Sequence, residues 1–422
     1  MGEWHIPEPV RERLERTEPA DILLGVVTFN DSATAPGLTR ALAHGIARAF
    51  PQRRAIVVNC DAGSLDGTPQ AIQEKLGPET QYWAIRHPVL GASLKLTSDS
   101  GVPGREEAVR ILAVLAEKLN VSACLVVDGN LKSTEPTWAQ VLAEPIIEKG
   151  VDCVLPWFRR NRYEGTLTNT LLAPLTGALY GKCVPYHLGG AYAFSGRFIR
   201  SILLPQPWDE GIGLYGFDGW VTTLAVAEQA DVYRAGLGPR VHQAKPMGDL
   251  STVVAQAVGC VFHLMERYQE RWESVKSSVA VPTAGTPAGM GAEPGTINVQ
   301  RMVAGFRQGL RDLLPVWQLI LSAETFQQVL ELGVEDMDTF RFPSHLWVQV
   351  VYDCALAYHD RLLHREHLLK ALTPLYLGYT ASFVIATRAQ GVEQVEGELA
   401  RLNNDFVTMK PYLVERWRWH DE

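Results

Sequence analysis

Cysteine pairs, basic runs and long apolar stretches are all missing from this 422-residue chain. The six cysteines (Cys60, Cys124, Cys153, Cys183, Cys260 and Cys354) form no CxxC pair, and four of them, Cys60, Cys124, Cys153 and Cys260, lie in or beside apolar runs. They read as buried free thiols in a reducing compartment. The 39 Lys+Arg against 47 Asp+Glu give a net charge of −8 without a basic run, which argues against nucleic acid as a partner. The longest apolar run, Pro374–Thr387, falls short of the roughly 20 residues that span a bilayer. The opening residues, MGEWHIPEPVRERLERTEP, contain no apolar segment of the secretory type, and the hydroxyl residue of a myristoylation motif is missing after Gly2. A soluble cytoplasmic protein with no membrane span is the expectation. Two nucleotide signatures are missing as well. No G-x-G-x-x-G follows the first strand and no G-x-x-x-x-G-K-[ST] occurs, which argues against a Rossmann dinucleotide site and against P-loop chemistry.

What is present is alternation. Short apolar, β-branched runs at Asp21–Phe29, Ala55–Asn59, Tyr82–Arg86 and Ala123–Val127 are separated by helix-period stretches at Ala35–Phe50, Thr68–Leu76 and from Gly101–Glu107 to Leu119. This pattern predicts an α/β fold with a doubly wound, mostly parallel sheet covered on both faces. Trp138–Glu148 continues it as a helix and Val151–Phe158 as a strand, followed by a polar loop, Arg159–Thr170, and a helix at Leu171–Leu179. His187–Phe194 is strand-like, Phe194–Leu204 and Val221–Gln229 are helical, and Gly211–Val221 is a glycine-rich loop around Asp218. Gly248–Arg271 reads as one long helix, Val281–Gly295 as a Gly/Pro/Ala-rich loop, and Asn298–Arg418 as five or six helices. The expected organisation is an N-terminal extension (1–20), an α/β domain (21–250) and a helical C-terminal region (251–422) with a loop at 281–295.

The residues that can carry chemistry cluster at strand ends. The strand Ala123–Val127 stops at Asp128-Gly129-Asn130, and an acid at the C-terminal tip of an apolar strand sits where open α/β sheets hold ligands. The same three residues also suit a tight type I′ turn. The first two strands end in polar tips, Asn30-Asp31 and Asn59-Cys60-Asp61, whose amides and carboxylates suit a base and ribose but taken alone are more simply ordinary turn residues. Arg105, after Pro103-Gly104, opens a helix whose N-terminus favours an anion that the guanidinium can clamp with two bonds; an exposed first-turn arginine is the plainer alternative. Gly189-Gly190 let backbone approach a ligand. A lone histidine such as His242 is more often a polar surface or core residue than a ligand, although an imidazole suits Mn²⁺ better than Mg²⁺, and Lys245 is as readily a solvated lysine as a phosphate contact. Arg160, Arg162, Thr166 and Thr168 offer two cations and two hydroxyls to a carboxylate or phosphate, in a segment that a charged surface loop would also explain.

In chain order, Asn30-Asp31, Cys60-Asp61, Pro103-Gly104-Arg105, Asp128-Gly129-Asn130, Leu188-Gly189-Gly190, Phe217-Asp218 and His242 resemble the GT-A type nucleotide-sugar glycosyltransferases, family 2-like. Within them the order is similar to the retaining mannosylglycerate synthase and glucosyl-3-phosphoglycerate synthase group. The resemblance runs from Asp21 to Leu250, and Arg341-Phe342-Pro343 with Trp347–Tyr358 is similar to a helical segment of mannosylglycerate synthase. It implies a GT-A sheet followed by a helical region, and transfer of a hexose from a nucleoside-diphosphate sugar to a small anionic acceptor, glycerate- or phosphoglycerate-like, with retention. It also implies a divalent cation, Mg²⁺ or Mn²⁺, on the donor diphosphate.

Carried over by position, the resemblance puts Thr28, Asn30, Asp61, Arg105, Asp128, Gly189 and Gly190 on the donor and Asp128, Asn130 and His242 on the cation. Asp128 and Asp218 take the catalytic positions, and Arg160, Arg162, Thr166 and Thr168 the acceptor. Two positions depart from the group: Asn130 offers a neutral oxygen where an acid is expected, and Arg105 replaces a lysine. The C-terminal helices leave room for a homodimer. Two further readings stand beside this one. A sugar nucleotidyltransferase would want a glycine-rich loop after the first strand, which is missing. A non-catalytic nucleotide-sugar-binding or scaffold protein is favoured by the missing second acid.

Overall fold

The computed structural model describes residues 8–87, 102–185, 189–204, 217–242, 249–286, 297–337 and 339–419. Leu188, Lys245, most of the glycine-rich stretch before Asp218 and much of the 281–295 loop lie outside the described residues. Ten strands are described: β1 Ile22–Thr28, β2 Ala55–Asp61, β3 Tyr82–Arg86, β4 Ala123–Asp128, β5 Cys153–Arg159, β6 Lys182–Cys183, β7 Ala191–Ser195, β8 Val232–Pro239, β9 Val279–Ala280 and β10 Thr283–Ala284. Helices α1 Glu8–Glu15, α2 Ala35–Ala49, α3 Thr68–Leu76, α4 Arg105–Lys118, α5 Thr137–Lys149, α6 Ala173–Tyr180 and α7 Gly196–Ile202 alternate with them, and seven of the later helices run from Val299 to Trp419.

The chain forms two compact units. The first comprises the described residues of Met1–Arg159, His187–Gly248 and Val281–Gly289. It holds an eight-stranded sheet in the order β10-β8-β5-β7-β4-β1-β2-β3. The strands pair in parallel except β7, which is antiparallel to both β4 and β5. This is the mostly parallel, doubly wound sheet that the alternation predicts, with one reversed strand in it. β1 (ILLGVVT) is buried along its whole length, as a strand covered on both faces must be. Leu24 and Val26 face one way, onto a core that includes Val57, Leu125, Leu38, Leu42 and Trp138. Each such side chain contributes about 1.5–3 kcal/mol by leaving water. Gly25 faces the other way, under Leu112 of α4, where a Cβ would stand 2.5 Å from the leucine Cδ1.

Parallel pairing gathers the strand ends that matter. Val27 of β1 pairs with Cys60 of β2 and Asp128 of β4, and Thr28 pairs with Asp61. The C-terminal tips of β2, β1 and β4 therefore stand in a row, with about 10 Å between the outer two at the usual strand spacing.

The second unit comprises the described residues of Arg160–Tyr186, Asp249–Ala280 and Met290–Glu422. Arg160–Tyr186, in sequence part of the α/β stretch, belongs here because its polar groups are satisfied here. The Trp347 Nε1 donates to Thr170 O at 2.9 Å, the Thr166 and Tyr376 hydroxyls share a bond of 2.7 Å, and the Tyr163 and Thr387 hydroxyls one of 3.0 Å. Trp347 and Tyr379 stack at 4.9 Å between centroids. Among the described residues one helix, Arg365–Thr387, is long and apolar enough to cross a membrane, and 78% of its most apolar stretch is buried inside the protein.

Several boundaries differ from expectation. The polar loop after β5 is shorter, because Thr168–Leu172 form a π-helical turn leading into α6. Asp218 sits not in a loop but in the first turn of a helix, Phe217–Ala227. The long helix after Asp249 stops at Arg267, and Gln269–Trp272 forms a separate turn beyond the non-helical Tyr268. The five or six expected C-terminal helices are seven among the described residues, because Leu313 and Met409 each break a stretch whose apolar period continues.

Lys410 ties three segments of the second unit together. Its ammonium is buried and donates to Ala178 O at 3.0 Å, to Val275 O at 2.7 Å and to Trp272 O. An ammonium has three donors, and all three are used on carbonyls at or near helix ends. Lys410→Met fills a similar space but leaves those carbonyls without a donor. It is expected to lower unfolding free energy by about 2–4 kcal/mol, read as a fall in the denaturant midpoint with unchanged slope.

Candidate functional site

Arg105 is the first residue of α4, and its side chain is almost entirely removed from solvent. Its Nε donates to Asp128 Oδ1 at 2.7 Å and its Nη1 to Asp218 Oδ1 at 2.7 Å. One guanidinium thus bridges the tip of β4 to the first turn of the helix Phe217–Ala227, an end that itself favours an anion. Burial works against the charge on Arg105, yet the two carboxylates more than offset it and raise its pKa, so it stays a cation. Burial also pushes the Asp128 carboxyl up, to about 6; Arg105 pulls it back, Asp218 adds to the rise and Arg240 pulls more weakly. The Arg105 Nη2 is buried and has no hydrogen-bond partner among the described residues, so both of its N–H groups are unspent there.

Asp128 is placed tightly. The Asp128 N–H donates to Gly190 O at 2.8 Å, and a Cβ on Gly190 would stand 2.1 Å from Asp128 Oδ2. Gly190 also has φ of +72°, a region that side-chain-bearing residues rarely adopt. The turn after Asp128 is closed by Leu131 N–H to Asp128 O at 3.4 Å. It is not type I′, because neither Gly129 nor Asn130 has positive φ. Asn130 is buried. His242 reaches this turn by backbone pairing: Leu131 and His242 form an antiparallel bridge, and the Lys132 N–H donates to Val241 O at 2.7 Å.

The strand tips beside Asp128 are spent on one another. The Asp61 carboxylate accepts from the Thr28 hydroxyl at 2.7 Å, the Ser64 hydroxyl at 2.6 Å, and the N–H groups of Gly63 and Ser64 at 2.9 and 2.7 Å. Those four bonds fill a carboxylate's acceptor sites. Asn30, in the left-handed region at φ +54°, donates its N–H to the Ser64 hydroxyl at 2.8 Å and accepts from Leu65 N–H at 2.9 Å. Asp61, Thr28 and Asn30 therefore fasten the loop after β1 to the loop after β2.

The four residues assigned to the acceptor lie in the second unit. Arg162 Nη1 donates to Gln390 O at 2.8 Å, Arg160 is buried with Glu164 at 3.7 Å, Thr166 meets Tyr376, and Thr168 is buried at the start of the π-helical turn.

A scan against protein-family models and a search of curated proteins return no match. Solved structures of glucosyl-3-phosphoglycerate synthase from Mycobacterium tuberculosis are similar to this chain. One, in complex with Mn²⁺, uridine diphosphate and glucosyl-3-phosphoglycerate, shares 19% identity over 63% of this chain and 86% of its own, at a TM-score of 0.40. Another, with Mn²⁺, uridine diphosphate and phosphoglyceric acid, shares 19% over 63% and 84%, at 0.40. A third, with Mn²⁺ and uridine-diphosphate-glucose, shares 18% over 63% and 86%, at 0.38.

The residues that sequence reasoning missed are Tyr192 and Arg240. The Tyr192 ring lies 5.8 Å from the Arg105 guanidinium carbon, and burial holds its phenol far above the ordinary tyrosine range. Its signal was strand alternation: Gly190, next to Asp128, and Tyr192 share one face of an extended segment. Arg240 precedes His242 by two residues, and only the fold shows that it is close enough to act on Asp128.

Gly190→Ala is expected to destabilise the fold by about 2–4 kcal/mol through the clash with Asp128 and the positive φ. Thermal melts of the wild-type chain and the variant, run in parallel, measure the loss.

Proposed function

We propose that this chain is a glycosyltransferase that moves a hexose from a nucleoside-diphosphate sugar to a small anionic acceptor, glycerate- or phosphoglycerate-like, with retention of configuration. The observation that carries the proposal is the buried Asp128–Arg105–Asp218 bridge at the C-terminal edge of a doubly wound sheet, the edge where such sheets take ligands. Glycosyl transfer from a nucleotide sugar develops negative charge on the leaving diphosphate. A fixed guanidinium with a donor to spare stabilises such charge without reorganising at the moment of reaction.

A divalent cation fits the donor set present, with one fewer anion than usual. Asp128 keeps its second carboxylate oxygen outside the Arg105 pair, Asn130 is buried two residues on, and the β-bridge brings His242 alongside. Among the described residues no three His, Cys, Asp or Glu side chains gather for a metal, so the set depends on the Asn130 carbonyl. Asp128, Asn130 and His242 would hold Mg²⁺ or Mn²⁺, which when bound supplies charge neutralisation at the diphosphate. Asp218, already paired with Arg105, is better placed to orient an acceptor hydroxyl than to remove its proton.

The test is incubation with UDP-, GDP- and ADP-sugars, glycerate or 3-phosphoglycerate, and Mg²⁺ or Mn²⁺, with both products identified. Release of nucleoside diphosphate together with a glycosylated acceptor is expected, and Asp128→Ala should lose at least about 100-fold in kcat/KM, about 2.7 kcal/mol. Release of pyrophosphate would assign a nucleotidyltransferase instead. Donor binding without turnover would assign a non-catalytic binding protein. Chelation should weaken donor binding, measured by calorimetry.

A further inference from the structure

We propose that Thr34 is a positioning residue of this same site: its hydroxyl holds the Gly129 carbonyl and so fixes the peptide plane from which Asn130 is presented beside Asp128. This rests on the glycosyltransfer reading and extends it to a residue that the motif order does not reach.

Thr34 stands immediately before α2, where a threonine hydroxyl ordinarily accepts an N–H from the first turn of its helix. It accepts none here. The Thr34 Oγ1 lies 2.7 Å from Gly129 O, 95 residues further along the chain, and 3.4 Å from Asp31 O. A hydroxyl has one hydrogen to give, and the much shorter contact takes it. Thr34 thus spends its donor on the turn after β4 and leaves its own helix uncapped by that side chain.

The loop that carries Thr34 is itself fixed. Asp31 O accepts from the N–H groups of Thr34 and Ala35, both at 2.9 Å. The Asp31 N–H donates to the Thr68 hydroxyl at 2.9 Å and the Ser32 N–H to Asp66 Oδ2 at 3.0 Å. Gly129 is held from its other side as well. Its N–H donates to Val27 O at 2.8 Å, and a Cβ on it would stand 2.6 Å from Thr28 Cγ2 and 3.2 Å from Ala35 Cβ. The bond that closes the turn, Leu131 N–H to Asp128 O, is long at 3.4 Å, so the middle peptide, Gly129–Asn130, depends on Thr34 for its orientation. A peptide unit is planar, and a bond to the Gly129 carbonyl therefore also sets the direction of the Asn130 N–H and Cα. A neutral amide attracts a cation less than a carboxylate does, so its contribution rests on being correctly placed. Thr34 touches neither cation nor donor in this account; it acts through the Gly129 peptide.

The experiment compares Thr34→Val, Thr34→Ser and Thr39→Val in the full chain. Thr34→Val replaces the hydroxyl with a methyl of similar size, and Thr34→Ser keeps it. Thr39→Val removes a hydroxyl of α2 that bonds Ala35 O at 2.7 Å and not the turn. Calorimetry of Mn²⁺ with UDP, GDP or ADP reads the cation site, and hydrogen–deuterium exchange of the free protein reads residues 128–132. Thr34→Val is expected to weaken Mn²⁺-dependent nucleotide binding by about 10- to 100-fold and to speed exchange of that segment, with the other two variants within about twofold of wild type. Thr34→Ala takes its place if the valine variant does not fold. Wild-type binding or wild-type exchange in Thr34→Val, a loss that serine does not restore, or an equal loss in Thr39→Val would overturn the proposal. If the wild-type chain binds no nucleoside diphosphate with Mn²⁺ and transfers nothing across the panel, the glycosyltransfer reading fails by itself. The Thr34 link is then judged from exchange, where a faster segment in Thr34→Val alone upholds it and an unchanged one overturns it.

Discussion

A guanidinium almost wholly out of water and held between two carboxylates is the constraint on which the first unit's functional edge depends. Its three members come from the N-terminus of α4, the tip of β4 and the first turn of the helix Phe217–Ala227, so 113 residues of chain separate the Arg105–Asp218 pair. Taking these charges out of water is costly, and only close, well-directed contacts compensate. Removing one partner would leave a buried charge uncompensated, at a cost of about 3–5 kcal/mol. Such a bridge is therefore intolerant of displacement. It makes one strand and two helices act as a single rigid frame around Asp128.

The surroundings make the same demand by other means. Gly190 lies so close under the Asp128 carboxylate that no side chain fits there, and the reversed strand β7 exists beside β4 to deliver that glycine and then Tyr192. On the far side of β1, Asp61 gives all its acceptor capacity to Thr28, Gly63 and Ser64. On the proposed reading Asp61 serves the donor pocket by shaping it, since bonds already made to the protein are not available for a ribose. The polar strand tips are thus of two kinds. Asp128 is held by charge, and Asp61 is held by neutral donors.

The distinction was not legible in sequence, where both appear as acids at the ends of apolar strands. Element type and order were legible, because β1 and β4 are continuous apolar runs and the helices between them keep a helical period. Arg105, Asp128 and Asp218 could be named individually, since an acid at a strand tip and an arginine at a helix start are local signals. Their union could not, because a salt bridge between residues so distant in the chain leaves no local trace. Direction was equally hidden: AYAFS reads as a strand, but nothing in its alternation says that it runs against its neighbours. The segment Arg160–Tyr186 shows a third limit. Its sequence continues the α/β pattern, yet tertiary bonds from Thr166, Thr170 and Tyr163 to Tyr376, Trp347 and Thr387 decide that it packs with the helical unit.

Charge balance connects the two departures from the group that this sequence resembles. Asp128 and Asp218 already place two carboxylates around Arg105, and burial with Asp218 nearby pushes the Asp128 carboxyl up. An acid at position 130 would add a third anion beside the same buried turn and raise that burden further. Asparagine keeps a carbonyl oxygen at that position without the charge. Arginine at 105 works in the complementary direction: unlike lysine it binds two carboxylates through different nitrogens and still retains a third. On the proposed function, a neutral residue at 130 and a forked cation at 105 are one adjustment, in which part of the positive charge offered to a donor diphosphate belongs to the protein itself.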